Sequence, residues 1–185
     1  MTVYFRWLAV FSCLAWGQAV SAVELLVQVG SPVTVGDSVD VQVSVDDVAD
    51  LAGFEFSLAY DVSLLAGVTA TSGDLFGADG FTLASGFSVG MADFSEVSLA
   101  TFGVDVTVPA LLATFHFTAL ASGISQLTLG QVLLSDSRGN PIGAVNLSNA
   151  QVEIIDSTLA LPGSLSLLGL GWWLCGRRRR GCFPA

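Results

Sequence analysis

The chain has 185 residues, 52% of them hydrophobic and only 12% charged, with a formal net charge of −10. That apolar fraction excludes a disordered chain, and the length fits one domain with processed ends. All sixteen Asp and Glu fall between Glu24 and Asp156, where Arg138 is the only basic residue. A segment of formal charge −15 lacks the clustered Lys and Arg that phosphates require, which excludes nucleic acid as a partner.

In chain order, the first element is an export signal. Arg6 is followed by the apolar stretch WLAVFSCLAWG (Trp7–Gly17), too short to span a bilayer, and then by AVSA. Val20 and Ala22 occupy the positions a signal peptidase reads, so cleavage is expected between Ala22 and Val23. The alternative is an uncleaved membrane anchor. Residues 1–22 are therefore set apart as a signal peptide.

The next segment, 23–156, contains no cysteine: Cys13, Cys175 and Cys182 all lie outside it. Packing alone must hold it, and neither a disulfide, a thiolate metal site nor a cysteine nucleophile is available there. Its periodicity is that of β-strands. SVDVQVSVD (Ser38–Asp46) places Val39, Val41, Val43 and Val45 on one face. GFEFSLAYD (Gly53–Asp61) turns Phe54, Phe56, Leu58 and Tyr60 inward and leaves Glu55 and Ser57 outward. LLATFHFTA (Leu111–Ala119) buries Ala113, Phe115 and Phe117 and leaves Thr114, His116 and Thr118 outward. Such alternation marks half-buried strands. Further strands are expected at Leu25–Val29, Val68–Thr71, Phe81–Val89, Val97–Phe102, Ser125–Leu134 and Gln151–Ile155. Turns rich in Gly, Asp and Ser separate them, and no helical stripe precedes the tail. The pattern predicts an all-β sandwich.

Three sets of residues within this segment are candidates for chemistry. GFSVG (Gly86–Gly90) fits G-x-S-x-G, and Asp93 or Asp105 followed by His116 gives the chain order of a hydrolase triad around Ser88. That chemistry needs a strand-to-helix turn, and no βαβ pattern surrounds the motif. Asp46, Asp47 and Asp50 share one turn, and Asp136 precedes Gly139-Asn140. Calcium is the one cation these carboxylates suggest, but the spacing is not that of an EF-hand loop, and Asp caps turns in any case. No cofactor is therefore expected. A sugar-binding platform would use flat aromatics, yet all four tryptophans lie outside the segment and Tyr60 is its only tyrosine. That leaves Phe76, Phe81, Phe87 and Phe94 as stacking candidates or as core.

VTVGDSVDVQVSVDDVADLAGFEFSLAYDVSLL (Val33–Leu65) closely resembles the first half of a cohesin domain, in its Val-Gly-Asp entry, its alternating strand and its Gly-Phe-x-Phe strand leading to a Tyr-Asp turn. LLATFHFTALASGISQLTLGQVLLSDSRGNPI (Leu111–Ile142) resembles the second half. The resemblance covers most of 23–156 and is weakest over Ser72–Val108. It implies a jelly-roll β-sandwich shared with some carbohydrate-binding modules. It also implies a non-catalytic module that binds a dockerin-like protein partner, with a link to extracellular polysaccharide assembly or breakdown. On the family's pattern, Glu55, Ser57, Thr114 and His116 stand at strand positions corresponding to those used in dockerin recognition. Polysaccharide binding is the alternative function, and hydrolysis through Ser88 a minor one.

The last element, 157–185, is a sorting or anchor segment. The apolar run from Thr158 to Gly176 would reach about 28 Å as a helix, enough for the hydrocarbon core. Trp172 and Trp173 sit at its interface end, and Arg177, Arg178, Arg179 and Arg180 follow. Arginines there hold a span with its C-terminus inside. With ALPGS (Ala160, Leu161, Pro162, Gly163, Ser164) upstream, the segment resembles a PEP-CTERM sorting tail, although Ala160 stands where that motif has its first proline. The resemblance implies an exosortase-type enzyme that cuts near Ala160–Ser164. A plain single-pass anchor is the alternative. Both readings place the domain outside the cell or in the envelope, held in the inner membrane transiently or stably by the C-terminal helix.

Overall fold

Strands of alternating valine and phenylalanine have one face that must leave water, and two sheets meet to provide for this. The computed structural model describes residues 22–156. Its strands are β1 (Val23–Val29), β2 (Val33–Thr34), β3 (Ser38–Asp46), β4 (Val48–Ala59), β5 (Leu65–Ser72), β6 (Gly80–Ser88), β7 (Met91–Ser98), β8 (Val104–Val106), β9 (Ala110–Ala119), β10 (Gly123–Asp136), β11 (Val145–Ser148) and β12 (Ala150–Ile155). A single 3₁₀ turn, Gly77–Asp79, is the only helical element among the described residues. One sheet runs β11-β1-β3-β9-β5. The other runs β2-β12-β10-β4-β7-β6, with β8 attached to β4.

The core lies between the sheets and is aromatic at its centre. Phe56 of β4 meets Phe115 of β9 edge-on, centroids 6.0 Å apart, and Phe94 of β7 meets the same ring at 6.4 Å. Edge-to-face contacts of this kind add to the burial of the rings themselves. Val39, Val41, Val43 and Val45 are all buried, as the alternation of β3 requires. Phe87 closes one side of the sandwich, its ring lying over Gly67 of β5 and against Phe117 at 5.4 Å. Tyr60 is half-buried. Its ring is 4.9 Å from Phe117, and its hydroxyl donates to the Ser88 carbonyl at 3.2 Å.

The strand expected at Val97–Phe102 lies instead at Met91–Ser98. Its inward positions are Ala92, Phe94 and Glu96, so a small and an acidic residue conceal the alternation. The turn that precedes it is set by Gly90, whose φ of 78° suits glycine. The short strands β2, β8 and β11 have too few residues to show a period. The strand expected from Gly53 begins earlier, at Val48, and passes through Asp50 at φ 54°. The expected signal peptide (apart from Ala22), the C-terminal helix, Ala160–Ser164 and Arg177–Arg180 lie outside the described residues. Val23, the expected new N-terminus, opens β1 and is paired with Val145.

Candidate functional site

Four strands of the larger sheet, β10, β4, β7 and β6, form a lattice on its outer face, and pairing fixes its rows. Gly130 of β10, Ser57 of β4, Asp93 of β7 and Gly86 of β6 form one row. The next is Leu133, Glu55, Ser95 and Ala84, and the third is Ser135, Gly53, Val97 and Phe81. Two bulges give this face its relief. One falls between Gly130 and Leu133, where Gln131 takes φ 48°, and the other between Thr82 and Ala84. Each inserts a residue and shifts the strand's register. Leu133 and Leu83 are left 52% and 60% exposed on this face.

Two depressions result. The first, about 160 Å³, is floored by Gly53 and rimmed by Leu83, Leu133 and Val97. The second, about 200 Å³, is polar and holds Glu55, Ser57, Asp93, Ser95 and Gln131. Glu55 and Ser95 belong to both. Glu55 is exposed, as its outward position in the alternation predicts. Ser57 departs from the outward expectation: it is 2% exposed, with its hydroxyl turned to donate to the Gly130 carbonyl at 3.1 Å. It forms the floor of the polar depression and does not project from it.

Thr114 and His116 lie on β9, in the other sheet, on its outer face. They are half-buried among cross-strand neighbours. His116 Nδ1 is 2.7 Å from Asp40 Oδ1 on β3, and its Nε2 is 3.5 Å from Thr71 Oγ1 on β5. The four residues expected to meet a partner are thus split between the two faces of the sandwich, and a flat partner can touch only one pair. Sequence reading missed Leu83 and Leu133, and it singled out Asp93 only as a candidate triad member. The bulges that expose the two leucines leave no mark in the local pattern. Asp93 was obscured by the misplaced strand.

The hydrolase residues are not brought together. Ser88 ends β6 in a hairpin turn, where its hydroxyl donates to the Met91 carbonyl at 3.4 Å. His116 is on the opposite sheet, and Asp105 accepts the Asp50 amide at 2.8 Å. Of the phenylalanines held open as platforms, Phe76 and Phe94 are buried and Phe87 is half-buried. Phe81 is exposed at the rim of the lattice.

The turn carboxylates hold turns. Asp50 Oδ1 accepts the Gly103 amide at 2.9 Å, and Oδ2 accepts the Ser137 hydroxyl at 2.8 Å. The Ser137 hydroxyl, and then the Gly103 amide, hold its carboxyl below the ordinary value of 3.8. Asp136 accepts the side-chain amide and backbone N–H of Asn140, which lower its value in the same way. Asp46 caps the Asp47 amide at 2.9 Å. Among the described residues, no group of three His, Cys, Asp or Glu side chains is placed to hold a metal ion.

Two sheets with this strand order, closed over a phenylalanine core, define the class as a jelly-roll β-sandwich. The cohesin-domain family model matches residues 24–154, and the chain belongs to the cohesin family. No curated protein sequence matches it. Among solved structures, it is similar to a non-cellulosomal cohesin from the archaeon Archaeoglobus fulgidus, with 16% identity and a TM-score of 0.60 over 74% of this chain and 95% of that one. A cohesin module from a family 33 glycoside hydrolase of Clostridium perfringens matches at 17% identity and 0.60, over 74% and 98%. A Clostridium thermocellum cohesin, solved in complex with a type I dockerin, matches at 19% and 0.58, over 73% and 100%.

Proposed function

We propose that the chain is an exported, non-catalytic binding module that holds a dockerin-type protein on the outer face of the sheet containing β10, β4, β7 and β6. The observation that carries this reading is the family match across 24–154, a segment whose aromatic residues are mostly spent on the core. The choice of face rests on its relief. Exposed leucines and two depressions lie beside Glu55 there, whereas Thr114 and His116 sit among Thr, Gln and Asp cross-strand neighbours. Partner surfaces that bind tightly bury aliphatic and aromatic anchors in pockets. The signal at 1–22 and the tail at 157–185 support display outside the inner membrane, with an exosortase-type enzyme releasing or transferring the domain. The match to a cohesin module of a glycoside hydrolase supports a place in polysaccharide assembly or breakdown.

The test is capture on an array of dockerin modules beside a panel of polysaccharides. Retention of a dockerin, lost with Glu55→Lys and kept with His116→Ala and Ser88→Ala, is the expected result. Retention on a glycan alone would move the assignment to the carbohydrate-binding reading, for which exposed Phe81 and Phe102 are the available stacking surfaces. Hydrolysis abolished by Ser88→Ala would overturn the non-catalytic assignment.

A further inference from the structure

We infer that the end of the sandwich from which the tail leaves is a membrane-contact surface, seated on the zwitterionic headgroups around the anchor. This extends the proposed function and rests on its reading of 157–185 as a span. β12 finishes at Ile155, and the next residue, Asp156, is tied to the domain by the Ser122 hydroxyl, which donates to its Oδ2 at 3.1 Å. The apolar run begins two residues later, at Thr158. Two residues reach about 7 Å at full extension. The headgroup layer on one side of a bilayer is about 5–8 Å deep. A span that starts at Thr158 therefore brings Asp156 to the headgroups, and the surface around Asp156 must meet lipid.

Three turns with apolar tips form that surface. Leu120, just past β9 and two residues before Ser122, donates its amide to the Leu64 carbonyl at 2.8 Å. Leu64 ends the turn whose tip is Val62, and a Cβ on Gly123 would stand 3.0 Å from the Leu64 side chain. Val62 is 4.0 Å from the place of a Cβ on Gly90, which joins it to the Val89-Gly90 hairpin. Val62, Val89 and Leu120 are 45%, 90% and 48% exposed. Turns in water favour Asn, Asp, Gly or Ser at such tips. Exposure alone does not single out this end, because Leu99 and Phe102 are open at the opposite one, beyond β7 and beside the start of β4. The point of exit decides between them. Charge then selects the lipid. Asp37, Asp61 and Asp156 lie at this end, whereas Arg138, the one basic residue between Glu24 and Asp156, lies in the turn after β10 at the other. Carboxylates repel an anionic surface and are answered by the ammonium of an ethanolamine headgroup. Apolar tips enter the interface beside them.

The experiment uses the full chain, with Cys13, Cys175 and Cys182 replaced by serine, in vesicles of phosphatidylcholine and phosphatidylethanolamine. Single substitutions Val62→Cys, Val89→Cys, Leu120→Cys, Leu99→Cys and Phe102→Cys carry a polarity-sensitive fluorophore. The first three labels should shift to the blue and be quenched by spin-labelled acyl chains; the other two should do neither. Val62→Asp with Leu120→Asp should abolish the shift at Val89→Cys while the chain still floats with the vesicles. If that pair unfolds the domain, Val89→Asp read by the label at Val62→Cys replaces it, since the Val89 side chain is almost wholly exposed. Phosphatidylglycerol vesicles should give a smaller shift. The inference is overturned if all the labels respond alike, if the shift survives the aspartates, or if it is larger with phosphatidylglycerol. A shift that grows with the number of chains per vesicle would assign the end to a second copy, and one seen only in host membranes would assign it to a membrane protein; either overturns the lipid seat. A chain that does not float defeats the span at 157–185 and this surface with it. A chain that floats with no shift at any position defeats the surface alone.

Discussion

Asp50 ties three segments that are far apart in sequence: its own strand, the loop at Gly103 and the turn at Ser137. It does so at φ 54°, a conformation that Asp and Asn tolerate better than most residues. Its carboxyl is more acidic folded than unfolded, as are those of Asp61, capped by the Ser63 hydroxyl and amide, and Asp136. The unfolded chain therefore takes up protons more readily. The stability these groups contribute is complete above the ordinary value of 3.8 and is lost as pH falls through their lower folded values. Asp50→Asn keeps the backbone conformation but cannot titrate. Its melting temperature should lie below that of the native chain at neutral pH, and the two should converge on acidification; parallel curves would count against this role. Glu96 presents the opposite case. It is 3% exposed and faces the core, and its Oε2 has no partner. A buried carboxyl oxygen without a hydrogen-bond partner opposes folding, so Glu96→Met should raise stability by about 1–3 kcal/mol in urea denaturation.

At the scale of elements, the sandwich is closed where β5 and β6 meet. A Cβ on Gly67 would fall 2.1 Å from the Phe87 ring, so Gly67→Ala must displace that ring from Phe115 and Phe117. A loss of about 1–3 kcal/mol is expected from the overpacking. Unchanged stability would show that Phe87 does not seal this side. Which elements could be read in advance follows from their composition. β3 spends every inward position on valine, and its predicted bounds match the observed ones. β7 spends its inward positions on Ala, Phe and Glu, so periodicity had little to detect and the strand was expected too late in the chain. The interaction face was legible only in part. Alternation correctly placed Glu55 outward, but alternation within a strand cannot say which sheet that strand joins. Glu55 and His116 therefore looked alike, although they lie on opposite faces. The exposure of Leu83 and Leu133 depends on bulges, which are set by pairing across strands.

At the scale of the whole molecule, the domain and the two ends carry opposite charge. Sixteen carboxylates lie within the domain, and five of the six arginines lie outside it. A partner recognised through Glu55 and Asp93 should bind less tightly as salt rises, because exposed charges are screened beyond about 8 Å at physiological ionic strength. The same separation of charge bears on export. Cleavage between Ala22 and Val23 leaves β1 intact, because Val23 is its first paired residue. The secreted or surface form should therefore begin at Val23 by mass spectrometry, and a form that begins at Met1 would refute this. At the other end, β12 finishes at Ile155, so a cut near Ala160–Ser164 removes nothing from either sheet. The arginines can then act before the cut. Under the proposed function, four positive charges following an apolar run would resist translocation and hold the chain in the membrane until it is processed. Changing Arg177–Arg180 to serine should remove that hold and release uncut protein that still carries Trp172 and Trp173. The native chain should be released without them, with a new C-terminus between Ala160 and Ser164; native protein that leaves the membrane with both tryptophans would exclude sorting by cleavage.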